Sequence, residues 1–184
     1  IIEYEKRPFN SIEEMNSTII DNINYRFSDN DELYILGDFT LEKSPRKVGE
    51  LIKRIKYKKH LIIGNHDYFT KDKNLCSLFN SVHHYLEIDD NSQKVILFHY
   101  PIQNWNLKRY GSIHLYGHVH SKTELQLKEV NAFNVGVDVN NFMPVTLEEL
   151  QQKAKLKESE NNYEKENNKT LANYRSLDNY EKTK

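Results

Sequence analysis

Residues 61–67 read Leu61-Ile62-Ile63-Gly64-Asn65-His66-Asp67. Three apolar residues run straight into a glycine and then into three polar side chains. The run is too short for a helix and too uniform for a strand with one wet face. It reads as a strand buried on both faces, as in a parallel sheet. Its carboxyl end delivers an amide, an imidazole and a carboxylate at one point. The pattern recurs. Leu33-Tyr34-Ile35-Leu36 ends in Gly37-Asp38, the run 94–98 ends in His99, and 113–115 leads to Gly117-His118-Val119-His120. Each junction is followed by a loop signal: Phe39-Thr40, Tyr68, Tyr100-Pro101 and Ser121.

Helical patterns separate the first two junctions. Ser11 opens one, with Glu14 three residues on as a capping box, and Ile12, Met15, Ile19 and Ile23 recur on one face that the spacing predicts to be buried. Asp29-Asn30-Asp31 reads as a turn. Ser44-Pro45 opens a second helix with proline in its first turn, and Val48, Leu51, Ile52 and Ile55 line its inner face. Helix, strand, helix, strand implies an α/β fold with a partly parallel sheet. Beyond it, 82–88 and 94–98 read as adjacent strands joined by the turn Asp89-Asp90-Asn91-Ser92. Segments 124–127 and 132–137 read as a closing hairpin. A second sheet packed on the first is expected.

Composition bounds the function. Basic residues number 26 and acidic residues 27, for a net charge of −1. Such a balance produces no global basic field and argues against an extended nucleic-acid footprint. The lone Cys76 cannot form an intrachain disulfide, which fits a reducing compartment. No apolar run reaches the roughly 18 residues of a membrane span, and no signal-peptide pattern is visible. A cytoplasmic location without membrane contact is the expectation. The composition shifts near Leu150. Residues 1–150 read as one domain and 151–184 as a Lys-, Glu- and Asn-rich extension, helical or disordered. Leu171, Tyr174, Leu177 and Tyr180 recur every three residues along it. A solvated extension and an oligomerising helix are both compatible with that stripe.

The four junctions carry the chemistry. Open α/β sheets place ligand sites at the carboxyl edges of their strands, so Asp38, Asn65 with His66 and Asp67, His99, and His118 with His120 can converge. A carboxylate can bridge two cations, and imidazole and carbonyl oxygen complete the spheres of Mn, Fe, Zn or Ni. Two metals about 3.5–4 Å apart can clamp the attacking and leaving oxygens of a phosphoryl displacement. His60, His83, His84 and His114 sit in or beside strand patterns without a loop signal and read as structural.

Gly37-Asp38, Gly64-Asn65-His66-Asp67, His99 and Gly117-His118-Val119-His120 together resemble the ordered motif set of the calcineurin-like metallophosphoesterases, over residues 4–150. Arg7-Pro8-Phe9, Glu13-Glu14-Met15 and Asn134-Val135-Gly136-Val137-Asp138 further resemble a small bacterial and phage subgroup. The resemblance implies a four-layer α/β/β/α sandwich. It implies two divalent metal ions, Mn foremost with Fe, Ni or Zn as alternatives, and hydrolysis of a phosphomonoester or phosphodiester by a metal-bridging hydroxide. The partner would be a phosphate ester, a nucleotide among the options. By the resemblance, Asp38 bridges the metals, Asn65, His99 and His118 bind the second, and His120 binds the first. His66 would act at the phosphate or leaving group, with Asp67 orienting its ring.

Two departures qualify this. The family's first strand ends in Asp-x-His, and no such motif precedes Arg7, so the first metal is expected to keep only Asp38 and His120. Phe39-Thr40-Leu41 stands where the family has an acidic residue. In the loop after His99, Trp105 reads either as a packing anchor or as a face for a base to stack on, with Arg109 reaching phosphate. The alternative to an enzyme is a catalytically impaired metal-binding scaffold of the same fold.

Overall fold

The structure, a computed structural model, describes residues 1–26, 28, 30–156 and 159. It comprises two units, Ile1–Val145 and Thr146–Lys184. The stripe from Leu171 to Tyr180 lies outside the described residues.

Helix α1 spans Ile12–Arg26. Ser11 Oγ accepts the Glu14 N–H at 3.0 Å, and the Glu14 carboxylate accepts the Asn10 N–H at 2.8 Å. The return bond of the cap thus reaches one residue further back than a capping box predicts. Met15 and Ile20 are its buried residues, whereas Ile12, in the first turn, is 61% exposed. The buried face is therefore shifted from the expected one. Ile20 and the partly buried Ile23 pack against Leu33 and Ile55.

Strands β1 (Glu32–Ile35), β2 (Lys58–Ile62) and β3 (Ser81–His83) form a parallel sheet in that order, with Ile35 opposite Leu61 and Ile62 opposite His83. Helix α2 (Pro45–Arg54) starts at its proline and buries Val48 and Ile52 against Leu61, Leu75 and Phe79. Leu75 belongs to the short helix α3 (Lys73–Cys76), capped by the Asp72 side chain on the Asn74 N–H.

The second sheet contains β4 (Tyr85–Asp90), β5 (Gln93–Phe98), β6 (Ile113–Tyr116) and β7 (Ala132–Asn134) in sequence order. Its β4–β5 pair is antiparallel and the other two pairs are parallel. Ile96, Trp105, Tyr116, Val119 and Ala132 form its core cluster. The fold is mixed α/β with two sheets.

Two expectations need correction. Residues 82–88 are not one strand: Val82 lies in the first sheet and residues from Tyr85 onward in the second. The period-2 pattern is the same whichever sheet a strand joins, so only long-range pairing reveals the break. Asp89 and Asp90 extend β4, and the turn is Asn91-Ser92 alone. Both have positive φ, 48° and 67°, as a type I′ hairpin turn requires. The expected closing hairpin does not form. Thr123–Leu125 is a 3-10 turn, and β7 pairs parallel with β6. Residues 117–131 supply the long connection that a parallel neighbour needs.

The sheets meet at their carboxyl ends. The Gly117 N–H donates to the His99 carbonyl at 3.0 Å, and the His99 ring reaches the Leu36 carbonyl at 2.7 Å. In the second unit, helix α4 covers residues 147–156. Thr146 and Glu149 exchange side-chain-to-N–H bonds of 3.0 and 3.3 Å, a reciprocal capping box. The boundary between units thus falls at the helix cap, a few residues before the composition shift at Leu150. No helix among the described residues is long and apolar enough to cross a membrane.

Candidate metal centre

Gly37 takes φ +88° and Asp38 follows at φ +53°, so the chain turns sharply out of β1. A Cβ on Gly37 would collide with the His99 ring and the Gly64 backbone, and one on Gly64 would collide with Asp38. The two glycines let three junctions interleave at a separation that no side chain permits. His118 and His120 also have positive φ, 65° and 48°. Asp and His tolerate this left-handed region better than most residues, and such strain concentrates at functional sites.

His99 anchors the centre. It is 1% exposed, and its Nδ1 lies 2.7 Å from the Leu36 carbonyl. A carbonyl only accepts, so Nδ1 carries a hydrogen and donates it. In the neutral ring, Nε2 then holds the lone pair. That lone pair faces Asn65 Oδ1 at 3.0 Å and Asp38 Oδ2 at 3.5 Å. Three acceptor atoms converge with no donor among them. The arrangement calls for a positive charge at that point, either a proton on the ring or a cation among the acceptors. Burial opposes a proton on His99, but Asp38 and the Leu36 carbonyl together outweigh burial and raise its pKa. Burial would likewise raise the Asp38 carboxyl. The His99 ring and the His66 N–H, which Asp38 accepts at 2.8 Å, lower it instead.

His118 completes the cluster. Asp38, His99 and His118 each offer a ligand atom, and these atoms lie within 4.8 Å of one another. The Tyr100 ring packs edge-on against both imidazoles, at 4.5 Å from His118 and 4.8 Å from His99. Burial and the neighbouring His99 lower the His118 pKa, which disfavours a charged ring. Carboxylate, imidazole and amide oxygen are the mixed donor set that first-row divalent ions accept.

The expected role of Asp67 is corrected. The residue is 2% exposed, and its carboxylate accepts the N–H groups of Asp38, Phe39 and Gly64 at 2.8, 2.7 and 2.8 Å. Both oxygens are committed to the main chain, so Asp67 clamps the β1 and β2 loops together rather than orienting the His66 ring. Burial raises its pKa, and the three N–H bonds act against that rise. The His66 side chain is exposed and sits edge-on to Tyr68 at 6.2 Å.

His120 is not part of the three-residue cluster. Its Nδ1 lies 2.8 Å from Asp138 Oδ2, and Arg7 grips the same carboxylate with bonds of 2.7 and 2.8 Å. Burial would raise the Asp138 carboxyl, but His120 and Arg7 hold it down to about 2. Arg7 and Asp138 both fall in the subgroup-like motifs, yet nothing in their spacing pairs residues so distant in the chain.

The sequence is 33% identical across 170 residues to the uncharacterized protein MJ1445 of Methanocaldococcus jannaschii, a match covering 88% of this chain and 89% of that one. The chain belongs to the MJ1445 family. Its fold resembles the crystal structure of AQ665, a protein of unknown function from Aquifex aeolicus, with a TM-score of 0.65 at 22% identity over 82% of this chain and 90% of that one. No family model matches the sequence.

In this MJ1445-family chain the two expected substrate contacts lie elsewhere. Trp105 is 8% exposed within the core of the second sheet, its Nε1–H donates to the Ser112 carbonyl at 3.2 Å, and Lys108 Nζ lies 4.5 Å from its ring centroid. It is a packing anchor, with no open face for a base. Arg109 lies in the 3-10 turn Lys108–Tyr110, just before β6 begins, whereas His118 follows the other end of β6. The adjacent Gly111 carbonyl accepts from Gln93 at the start of β5. Arg109 is thus at the amino edge of the parallel strands, roughly the length of a strand from the Asp38, His99 and His118 cluster.

Of the remaining histidines, His114 and His60 have partners within the sheets. His114 is fully buried, with Nδ1 at 3.2 Å from the Ile96 carbonyl and Nε2 accepting the Ile102 N–H at 3.3 Å. His60 stacks on Tyr34 at 4.7 Å.

Proposed function

We propose that this chain is a divalent-metal-dependent phosphoesterase with the four-layer α/β/β/α sandwich of the calcineurin-like metallophosphoesterases, acting on a phosphomonoester or phosphodiester. The observation that carries the reading is the convergence of acceptor atoms of Asp38, Asn65 and His99 with no donor among them, with a ring nitrogen of His118 within 4.8 Å of Asp38 and His99. Those four residues would hold one cation, and His120 with Asp38 would serve a second. A divalent ion bound there supplies Lewis acidity toward a phosphoryl oxygen and lowers the pKa of a water. Mn is the first choice, with Fe, Ni and Zn behind it.

The chain's own residues do the rest. The Leu36 carbonyl keeps the His99 lone pair on Nε2. Asp67 holds the loops of Asp38 and His66 at a fixed separation. The exposed His66 is placed beside Asp38 through its own N–H and can give a proton to the departing oxygen. A nucleotide is one substrate of suitable chemistry. The single cysteine supports a reducing, cytoplasmic setting.

The test is hydrolysis of bis-p-nitrophenyl phosphate with added Mn²⁺. Turnover that depends on metal and disappears in Asp38→Asn supports the reading. Stoichiometric metal binding without turnover on either monoester or diester overturns it. That second outcome fits the alternative, a metal-binding scaffold, which is favoured by the single three-residue cluster found among the described residues.

A further inference from the structure

Arg7 and Asp138 are 131 positions apart and form a two-pronged ion pair, Nε to Oδ1 at 2.7 Å and a terminal nitrogen to Oδ2 at 2.8 Å. Their side chains are only 9% and 7% exposed. A buried pair of this kind is a poor source of stability, because desolvation offsets most of the attraction. What the carboxylate does besides is hold an imidazole: Asp138 Oδ2 lies 2.8 Å from His120 Nδ1. A carboxylate only accepts, so His120 Nδ1 carries the hydrogen and Nε2 keeps the lone pair. Free imidazole side chains favour the opposite tautomer.

The same segment also grips the His120 main chain. Asn134 donates its side-chain N–H to the His120 carbonyl at 2.7 Å, and its Oδ1 accepts the Gly136 N–H at 2.9 Å. Gly136 immediately precedes the 3-10 turn Val137–Val139 that carries Asp138. His120 itself sits at φ 48°, a conformation that needs such support. Arg7 is fixed in turn by Met15 Sδ at 3.3 Å and the Phe142 ring at 6.0 Å.

We propose that Arg7 and Asp138 are positioning residues for His120. Arg7 locks the Asp138 carboxylate, and Asp138 selects the Nδ1–H tautomer of His120, leaving Nε2 as the donor for a divalent cation. The cation's task rests on the phosphoesterase reading; the tautomer does not. Carboxylate-to-histidine support of this type typically changes metal affinity by roughly 10–100-fold when it is removed.

The test is a long-range proton–nitrogen correlation spectrum of the full chain with labelled histidine, recorded metal-free and well above the ordinary imidazole pKa. The wild type is expected to show His120 with the proton on Nδ1. Asp138→Asn and Arg7→Gln should move it toward Nε2 and weaken the second, lower-affinity Mn²⁺ event roughly 10–100-fold in a titration. His99, held by a carbonyl instead, should keep its tautomer and serves as the internal control. An Nε2–H form of His120 in the wild type overturns the proposal, and so does an unchanged tautomer in a folded Asp138→Asn chain. The wild-type spectrum decides even where a variant fails to fold. A confirmed tautomer without phosphoester turnover would sink the enzymatic reading and leave this one standing.

Discussion

Asp67 and Asp38 clasp each other's loops: Asp67 accepts the Asp38 N–H at 2.8 Å, and Asp38 accepts the N–H of His66, the residue before Asp67, also at 2.8 Å. Two loops from different strands are thus cross-linked by two carboxylates, and neither loop can move without the other. Conformational entropy at the site is removed before any ligand arrives.

Loss of that clasp should be costly. Asp67→Ala leaves three N–H groups without their acceptor in a buried setting, and each unmet donor costs on the order of 1–3 kcal/mol. The expected destabilisation is about 3–5 kcal/mol, read as a lower urea midpoint. Asp67→Asn, which keeps one acceptor oxygen, should lose less. A change within about 0.5 kcal/mol for the alanine variant would contradict the clamp.

Metal binding and proton donation should separate by mutation. Asp38→Asn is expected to abolish the tighter Mn²⁺ binding in calorimetry. His66→Ala should leave that binding intact and lower kcat by roughly 10²–10⁴-fold, the usual effect of losing a general acid. An emptied metal site in His66→Ala would show that the imidazole is a ligand instead.

Trp105 and Arg109 should behave as structure and surface. Trp105→Ala is expected to cost about 3–5 kcal/mol, as for truncation of a buried aromatic. Trp105→Phe should keep KM for any phosphoester that the chain turns over. Arg109→Ala should alter neither KM nor kcat. A several-fold rise in KM for Arg109→Ala would return that residue to the substrate.

The buried His114 predicts a pH dependence of stability. Burial lowers its pKa in the folded chain, while the unfolded chain titrates near the ordinary value of about 6.5. Above that value the group is neutral in both states and its contribution is constant. As pH falls below it, the unfolded state takes up a proton that the folded state refuses. Stability should then drop by up to about 1.4 kcal/mol per pH unit, until the lowered folded pKa is reached. Thermal melts of wild type and His114→Gln between pH 7 and about 5 should show a shallower slope for the variant. Parallel slopes would mean that His114 charges in the folded state.

Much of the site was legible locally. An apolar run and the polar residue at its end are consecutive in the chain, so Asp38, Asn65, His99 and His118 could be placed at strand ends without knowing the topology, and the resemblance to a known motif set supplied their expected roles. The helix starts at Ser11 and Ser44-Pro45 were legible for the same reason, because caps act within one turn. Roles that depend on a distant partner were not. Asp67 follows His66 in sequence but spends its oxygens on Asp38 and Phe39, some thirty residues away. Arg7, Asp138 and His120 form one device drawn from both ends of the described fold. Trp105 looks like any loop aromatic until the second sheet closes around it.

By itself, then, the sequence determined which residues stand at strand ends and what donors they offer, since strand burial and chain direction are short-range properties. Only the tertiary structure decided which sheet Val82 joins, that β7 lies parallel to β6, and which acceptor each site N–H and imidazole finds. Hydrogen-bond partners across a fold are chosen by which groups are left unpaired when the strands come together, and that competition has no local signature.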